Sequence, residues 1–312
     1  MSAFRKAAFD VPRVFAPVVT PFNADFSVDT PRLVTFCRWL VGQGAGLALF
    51  GTNSEANSLT LAERRAVLDR VIAADIDPGQ LLPGTGACAL PDAIELTRHA
   101  AAARCAGVLM LPPFYYKGVS DEGLYAYYSA VIEAVGSADL RVLLYHIPQL
   151  TGVPITPALI ERLTNAYPHT VVGIKDSSGD WSNTAGLLAR FPGFKVFPAS
   201  EALLGLGLPL GAAGCISATA NLQPGAIASL LAATTLEART TWVDQVSTIR
   251  LALQAHPLIP ALKAVVAQHT RHAGWARVRP PLVPFGALAA STLLAQLEAL
   301  GFAMPGLAQA GG

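Results

Sequence analysis

The chain has 312 residues, of which 52% are hydrophobic and 14% charged, and its formal net charge is +1 at pH 7. A near-neutral chain without a run of basic residues lacks the electrostatic footprint of a nucleic-acid-binding protein. No apolar stretch near twenty residues is free of glycine, proline or polar breaks, which argues against a membrane span. Four scattered cysteines lack paired or metal-ligand spacing and predict reduced thiols. They are Cys37, Cys88, Cys105 and Cys215.

Short apolar or β-branched runs alternate with amphipathic stretches along the chain, and eight of these runs predict strands. The predicted strands are Val14–Thr20, Gly46–Phe50, Leu81–Gly84, Gly107–Leu111, Val142–Tyr145, Val171–Lys175, Lys195–Pro198 and Gly214–Ser217. Such runs are typical of parallel strands that are buried on both faces.

Three helix starts carry clear signals. Thr60 to Glu63 has the pattern of a capping box. Ser120 is an N-cap residue before a helix through Tyr128, and Thr156 is an N-cap residue followed by proline at the first helical position.

Strands interleaved with helices, without the glycine fingerprint of a dinucleotide-binding fold, favour an α/β fold of the closed (β/α)8 TIM-barrel type. The stretch from about Pro224 to Phe302 is surplus to such a barrel. Its leucine- and alanine-rich segments predict a C-terminal helical appendage. We therefore predict a barrel catalytic domain over residues 1–223 and C-terminal helices packed on it over residues 224–312.

The C-terminal ends of barrel strands are where catalytic residues gather. In this chain those ends carry small hydroxyl side chains, an amide, phenols and one lysine. They carry no histidine–carboxylate cluster with the spacing of metal ligands. This inventory suits carbonyl chemistry on an anionic oxo acid, carried out without a metal.

Lys175 ends the apolar run Thr170–Ile174 and is the most informative residue of the sequence. Desolvation disfavours the ammonium form, and a free amine can attack a carbonyl to form a Schiff base. The alternative is a lysine that reaches solvent or pairs with Asp176. Since the chain has five lysines against seventeen arginines, a lysine on a strand favours chemistry that arginine cannot perform.

Five segments in chain order carry a family resemblance: Gly51–Glu55, Pro113–Tyr116, Tyr145–Gly152, Gly173–Asp176 and Gly214–Asn221. Over roughly residues 12–300 the chain resembles the dihydrodipicolinate synthase / N-acetylneuraminate lyase family, the class I aldolases and lyases that handle pyruvate. The first segment stands at the family's Gly-[Ser/Thr]-Thr-Gly-Glu loop. The third matches Tyr-Asn-x-Pro-x-x-[Ser/Thr]-Gly, and the fourth matches the Schiff-base segment Gly-[Ile/Val/Leu]-Lys-[Asp/Glu].

The resemblance implies catalytic roles for four residues. Lys175 would condense with the 2-oxo carbon of pyruvate, and Tyr145 would relay protons to and from the Schiff-base intermediate. Thr52 would belong to a hydroxyl relay with Tyr145. Tyr116 of a neighbouring subunit would complete the relay, with Tyr115 as the alternative for that role.

Substrate-binding roles follow from the same resemblance. Thr52 and Asn53, in the loop that begins at Gly51, would cradle the pyruvate carboxylate, because the loop leads towards a helix N-terminus whose amides favour an anion. Ile216 would line the pocket beside the imine. Ser177 would meet the polyol or acid end of the substrate.

Three positions depart from the family pattern. Ser54 replaces the usual glycine of the loop, and His146 stands at an asparagine position, where a spacer role is favoured over acid–base work. Leu150 stands where dihydrodipicolinate synthases carry an arginine that binds the carboxylate of aspartate semialdehyde. Because loss of a charge-assisted contact costs about 1.5–3 kcal/mol, Leu150 disfavours the synthase activity.

We therefore predict a Schiff-base-forming lyase that cleaves or forms a hydroxylated 2-oxo acid with pyruvate as product or co-substrate. The chain looks most like the 4-hydroxy-2-oxoglutarate and 2-keto-3-deoxy sugar-acid aldolases. A 2-keto-3-deoxy acid dehydratase and 4-hydroxy-tetrahydrodipicolinate synthase are the alternatives within the family. A non-catalytic 2-oxo-acid-binding sensor is the alternative from another class.

No cofactor and no metal are expected, since the imine itself serves as the electron sink. The resemblance implies a homotetramer built as a dimer of dimers. Residues 1–13 lack the apolar core of a secretory signal, so a cytoplasmic location is expected.

Overall fold

The structure, a computed structural model, describes residue 9 and residues 11–308. Its strands are β1 (Val14–Ala16), β2 (Gly46–Leu47), β3 (Val108–Met110), β4 (Val142–His146), β5 (Val171–Asp176), β6 (Lys195–Pro198) and β7 (Cys215–Ile216). Its α-helices are α1 (Thr30–Gly42), α2 (Leu61–Ile72), α3 (Leu90–Ala102), α4 (Asp121–Val135), α5 (Pro148–Thr151), α6 (Pro157–Ala166), α7 (Trp181–Arg190), α8 (Leu204–Gly207), α9 (Pro224–Ala232), α10 (Leu236–Gln254), α11 (Leu258–Thr270) and α12 (Ala287–Ala299).

The described residues fall into two compact units. One is built on residues 77–216, and the other on residues 13–76 together with 217–308. The predicted border between residues 223 and 224 stays a prediction, and the outermost residues of both predicted domains lie outside the described part of the chain.

A parallel sheet of four strands in the order β3-β4-β5-β6 forms the centre of the first unit. The predicted strand Leu81–Gly84 is not a regular strand. It pairs in parallel with β3 only at Gly84 and Leu109, where the Leu109 amide donates to the Pro83 carbonyl oxygen at 2.9 Å. Proline has no N–H to donate, so Pro83 cannot extend a regular ladder.

The pairing of β4 with β5 contains one irregularity. Val142 pairs with Val171, but the next pair is Leu143 with Gly173, so Val172 is an extra residue in β5. A β-bulge of this kind changes which side chains of two strands face each other. Beyond the bulge, Tyr145 is the register partner of Lys175.

In the second unit, β1 and β2 pair in parallel, with Phe15 opposite Gly46. Both strands are shorter than predicted. The predicted continuation of β1 is buried, but the Val19 amide donates to the Asn221 side-chain oxygen at 3.0 Å instead of to a neighbouring strand. The helical character predicted from Pro224 onwards is confirmed by α9 to α12.

The three predicted helix starts are confirmed. The Thr60 hydroxyl accepts from the Glu63 amide, and the Glu63 carboxylate accepts from the Thr60 amide, which completes a capping box at α2. Ser120 caps α4, and Thr156 caps α6 ahead of Pro157. Within the described chain, no helix combines the length and the apolar character needed to cross a bilayer.

Candidate active site

Lys175 lies near the C-terminal end of β5, and its side chain is buried, with 3% of its surface exposed. Its register partners are Tyr145 on β4 and Phe197 on β6. The Nζ atom lies 4.1 Å from the centre of the Tyr145 ring. Because register partners share one face of a sheet, this face presents an amine beside a buried phenol.

The opposite face of the same strand ends carries His146 and Asp176, which are also register partners. The Asp176 carboxylate accepts hydrogen bonds from the Ser178 amide at 3.0 Å, the Asn183 amide group at 3.0 Å and the Thr184 hydroxyl at 2.6 Å. Adjacent residues of a strand point to opposite faces. The alternative in which Lys175 pairs with Asp176 is therefore not what the structure shows.

His146 is a positioning residue in this arrangement. Its Nδ1 atom accepts a hydrogen bond from the Ile155 amide at 3.1 Å, which anchors the chain entering α6. Burial lowers the pKa of His146, and the nearby charge of Asp176 opposes that shift. A neutral imidazole that accepts at Nδ1 agrees with the spacer role that the sequence favoured.

The loops that follow β4 and β5 are tied together by hydrogen bonds. The Ser177 amide donates to the His146 carbonyl oxygen at 2.7 Å, and the Gln149 side chain donates to the Ser177 carbonyl oxygen at 2.6 Å. Ser177 and Leu150 therefore lie in loops at the C-terminal edge of the sheet, the edge at which Lys175 stands. The Leu150 side chain is 63% exposed.

Tyr115 and Tyr116 lie in the loop after β3 and are 75% and 73% exposed. Their rings form an edge-to-face pair with centres 5.2 Å apart. Lys117 holds this loop against the end of α5, because its Nζ atom donates to the Phe114 and Thr151 carbonyl oxygens. The two tyrosines are equally available, so the choice between them stays open.

The Gly51–Glu55 loop belongs to the second unit. It folds as a 3-10 turn over Thr52–Ser54, followed directly by a second turn over Ala56–Ser58, and α2 begins only at Leu61. The helix N-terminus expected beside Thr52 and Asn53 is therefore a single 3-10 turn. Thr52 and Asn53 are half-buried, and their role at a carboxylate stays a prediction.

Ile216 is fully buried on β7, in the first unit. The chain enters β7 beside β6, since the Ala213 amide donates to the Val196 carbonyl oxygen at 2.9 Å. Its predicted place beside the imine stays a prediction. Across residue 9 and residues 11–308, no three histidine, cysteine or acidic residues are grouped so that they could hold a metal ion.

Sequence reasoning assigned no role to two residues, Lys263 and Arg279, that the structure connects to the Gly51–Glu55 loop. Lys263 on α11 forms an ion pair with Glu55 at 2.6 Å, and both side chains are completely buried. The second Glu55 oxygen accepts from the Arg279 amide at 2.9 Å. A single cation inside the apolar helical stretch from Ala261 to Val266 was the available signal.

Electrostatics around this ion pair are strongly perturbed. Burial lowers the pKa of Lys263 to about 8, although the attraction of Glu55 opposes the shift. A hydrogen bond from the Arg279 guanidinium lowers the pKa of Glu63 to about 2. The same guanidinium lies 4.8 Å from the centre of the Phe22 ring, and Lys263 Nζ lies 4.4 Å from that centre.

Comparison with known proteins places this chain in a family. The sequence profile of the Dihydrodipicolinate synthetase family matches residues 10–300. The chain belongs to this family. A DapA-like lyase of Chloroflexus aurantiacus is 38% identical over 213 residues, which are 68% of this chain and 71% of that protein.

Two solved structures are similar over almost the whole chain. Dihydrodipicolinate synthase from Agrobacterium tumefaciens is 32% identical, with a TM-score of 0.85 over 93% of this chain and 99% of that one. YagE, a prophage protein of the dihydrodipicolinic acid synthase family from E. coli K12 solved in complex with pyruvate, is 28% identical. Its TM-score is 0.86, over 93% of this chain and 98% of that one.

These similarities confirm two of the predictions. The fold is the TIM barrel of this family, with a helical C-terminal part. The protein is an enzyme, a lyase of the class I aldolase type.

Proposed function

We propose that this lyase forms a Schiff base between Lys175 and a 2-oxo acid, with pyruvate as product or co-substrate, and cleaves or forms a hydroxylated 2-oxo acid. The observation that carries the proposal is the buried Lys175 amine lying 4.1 Å from the centre of the Tyr145 ring. The neighbouring structure solved with pyruvate supports the choice of 2-oxo acid.

The chemistry begins when the unprotonated Lys175 amine attacks the 2-oxo carbon and water leaves to give an imine. Tyr145 gives its phenolic proton to the departing water, which leaves a phenolate and an imine whose nitrogen keeps its proton. In the cleavage direction, this phenolate takes the proton of the substrate hydroxyl while the adjacent carbon–carbon bond breaks, and the hydroxyl-bearing carbon leaves as an aldehyde. The bonding electrons move onto the imine nitrogen and leave an enamine. Protonation of the enamine carbon and hydrolysis then release pyruvate and restore the amine.

Burial supports this assignment of roles. A phenol beside the amine, away from bulk water, offers a short path for proton transfer. Desolvation also strengthens the interaction of charges that develop during the reaction. The Lys175 amine and the Tyr145 ring lie on one face, whereas His146 and Asp176 are engaged in holding loops on the other.

The branch within the family is part of the proposal. We assign the chain to the aldolases of 4-hydroxy-2-oxoglutarate or 2-keto-3-deoxy sugar acids, with the 2-keto-3-deoxy acid dehydratases as the alternative. Similarity to the Agrobacterium synthase favours 4-hydroxy-tetrahydrodipicolinate synthase as a second candidate. Leu150 argues against it, because an exposed leucine cannot replace a guanidinium that binds a carboxylate.

The proposal is tested by reducing the protein with borohydride in the presence of pyruvate and mapping the modified peptide by mass spectrometry. We expect one pyruvate adduct, on Lys175, and none in the Lys175→Arg variant. Lys195→Arg is the matched control. Lys195 stands on the neighbouring strand β6, and its register partner is Gly173, whereas the register partner of Lys175 on β4 is Tyr145. That variant should keep the adduct.

Pyruvate binding without an adduct would contradict the enzyme mechanism and favour a 2-oxo-acid sensor. Assays of pyruvate release and of water loss on a panel of 4-hydroxy-2-oxo acids and 2-keto-3-deoxy acids then separate aldolase from dehydratase. A homotetramer and a cytoplasmic location remain proposals, as do the roles of Thr52, Asn53, Gly51, Tyr116, Ser177 and Ile216. Light scattering tests the homotetramer, and single substitutions test the roles of these residues.

A further inference from the structure

The Gly51–Glu55 loop is held by a charge pair that is removed from solvent. Lys263 Nζ and Glu55 Oε1 are 2.6 Å apart, and both side chains have no exposed surface. Lys263 also lies against the face of the Phe22 ring. Burying two charges costs several kcal/mol per ion before their attraction offsets it. Two apolar side chains would fill the same space without this desolvation cost.

Glu55 is held at three points. One carboxylate oxygen meets Lys263, the other accepts from the Arg279 amide, and the backbone of Glu55 adopts a left-handed conformation with φ of 58°. This conformation is uncommon for a residue with a Cβ atom and persists where surrounding contacts impose it. Because Glu55 ends the Thr52–Ser54 turn, fixing its side chain fixes the position of that turn.

The Ser54 side chain contributes no hydrogen bond of its own to holding the loop. The Ser54 hydroxyl is buried, and no partner for it appears in the described part of the chain. The Ser54 carbonyl oxygen does accept from the Thr20 hydroxyl at 2.7 Å. One restraint on the loop therefore comes from α11, through the ion pair of Lys263 with Glu55.

We propose that Lys263 and Glu55 are positioning residues whose ion pair sets the Thr52–Asn53 turn in the geometry that receives the carboxylate of the 2-oxo acid. This inference rests on the proposed function. An apolar pair of similar volume would stabilise the fold about as well as a buried ion pair. A charge pair is directional, so it also fixes the position of the turn. Misplacement of a binding group by about 1 Å can cost about 100-fold in rate.

The test compares the wild type with the double variant Glu55→Gln/Lys263→Met, which removes both charges and keeps the volume of the two side chains. Borohydride trapping at increasing pyruvate concentration gives the half-saturating concentration and the trapping rate at saturation. We expect the half-saturating concentration to rise about 10- to 100-fold. The rate at saturation should change less than about threefold, since Lys175 and Tyr145 are untouched.

Glu55→Gln alone is the second variant, because its single amide oxygen can accept from only one of Lys263 and Arg279 while its NH2 group meets the other donor, and it should raise the half-saturating concentration in the same direction. Glu161→Gln/Arg190→Met removes an exposed ion pair on the surface of the other unit and should leave both values unchanged. An unchanged half-saturating concentration in either folded Glu55 variant would overturn the inference. A decrease confined to the trapping rate at saturation would also overturn the inference. Absence of an adduct in the wild type would instead overturn the proposed function and the inference with it.

Discussion

Tyr145 and Lys175 are register partners because β5 contains one extra residue, Val172, between the pair Val142–Val171 and the pair Tyr145–Lys175. Had the pairing continued without interruption from Val142 and Val171, His146 would be the partner of Lys175. A slip of one residue exchanges the two faces of a strand. The extra residue, Val172, therefore places the amine beside a phenol instead of beside an imidazole.

Tyr145→Phe keeps the ring against Lys175 and removes only the phenol. We expect the pyruvate adduct still to form, while turnover of the preferred hydroxylated 2-oxo acid falls about 100- to 10,000-fold, the usual contribution of a general acid–base group. Steady-state kinetics and borohydride trapping on the same preparation measure the two effects separately.

Tyr128→Phe is the control, because Tyr128 is another buried tyrosine, on α4, outside the candidate site. It should leave turnover within about twofold of the wild type. Equal turnover in Tyr145→Phe and the wild type would remove Tyr145 from the mechanism.

Gly173→Ala should destabilise the protein and weaken the site. A Cβ atom at position 173 would collide with the backbone carbonyl oxygen of Lys195 on β6, so the two strands would have to separate. We expect a loss of about 1–3 kcal/mol in the free energy of unfolding, measured by denaturant titration. Slower trapping of pyruvate should accompany it, because Lys175 lies two residues away on the same face.

Gly186→Ala provides the comparison, since a Cβ atom there meets nothing within 4 Å and the position lies inside α7. That substitution should raise the free energy of unfolding by about 0.5–1 kcal/mol. If both glycine variants behaved alike, the close approach of β5 to β6 would not be the reason for Gly173.

Leu150→Arg should change substrate choice and leave the fold intact. The leucine is 63% exposed on the short helix α5, so the free energy of unfolding should stay within about 0.5 kcal/mol of the wild type. Condensation with aspartate semialdehyde should increase, because a guanidinium can bind its carboxylate in a bidentate manner.

Leu206→Arg, another exposed leucine of the same unit, on α8, serves as the control and should not change the substrate profile. An identical profile for Leu150→Arg and the wild type would show that position 150 does not select the substrate.

Glu63→Gln should alter the pH dependence of stability. The Arg279 guanidinium holds the pKa of Glu63 at about 2, below its ordinary value of 4.5. A depressed pKa means that the contribution to stability is complete above about pH 4.5 and is lost as the pH falls towards 2. The wild type should therefore exceed the variant by about 1 kcal/mol near neutral pH, because solvent screens part of this interaction, with the difference shrinking below pH 4.5.

Urea titrations at several pH values measure this difference. Glu122→Gln breaks the exposed pair with Arg162 and should show a much weaker dependence, because solvent screens that pair. A pH-independent difference for Glu63→Gln would mean that the side chain acts through shape or capping and not through its charge.

Much of the fold could be predicted from local signals. The strand ending in Lys175 and the capped starts of α2, α4 and α6 depend on periodicity and on side chain–backbone hydrogen bonds within a few residues. The strand predicted at Leu81–Gly84 was wrong as a regular strand, because Pro83 limits its ladder and the segment forms isolated bridge pairings, among them Gly84 with Leu109.

The pairing of Lys263 with Glu55 could not be predicted in the same way. The two residues are 208 positions apart, and no local pattern links an acidic residue in a loop to a lysine inside an apolar helix. Such a pair forms only when packing brings both side chains into one buried space, where each charge requires the other.

By itself, the sequence determined which residue types stand at strand ends, and with them the lysine, the tyrosine and the family. These depend on the order of residues along the chain and on short-range preferences. Tertiary structure alone decided that Val172 bulges, that Lys175 meets Tyr145, and that the Gly51–Glu55 loop is fixed from α11. The physical reason is that strand register and buried charge pairs are set by contacts between distant segments, which local propensities do not encode.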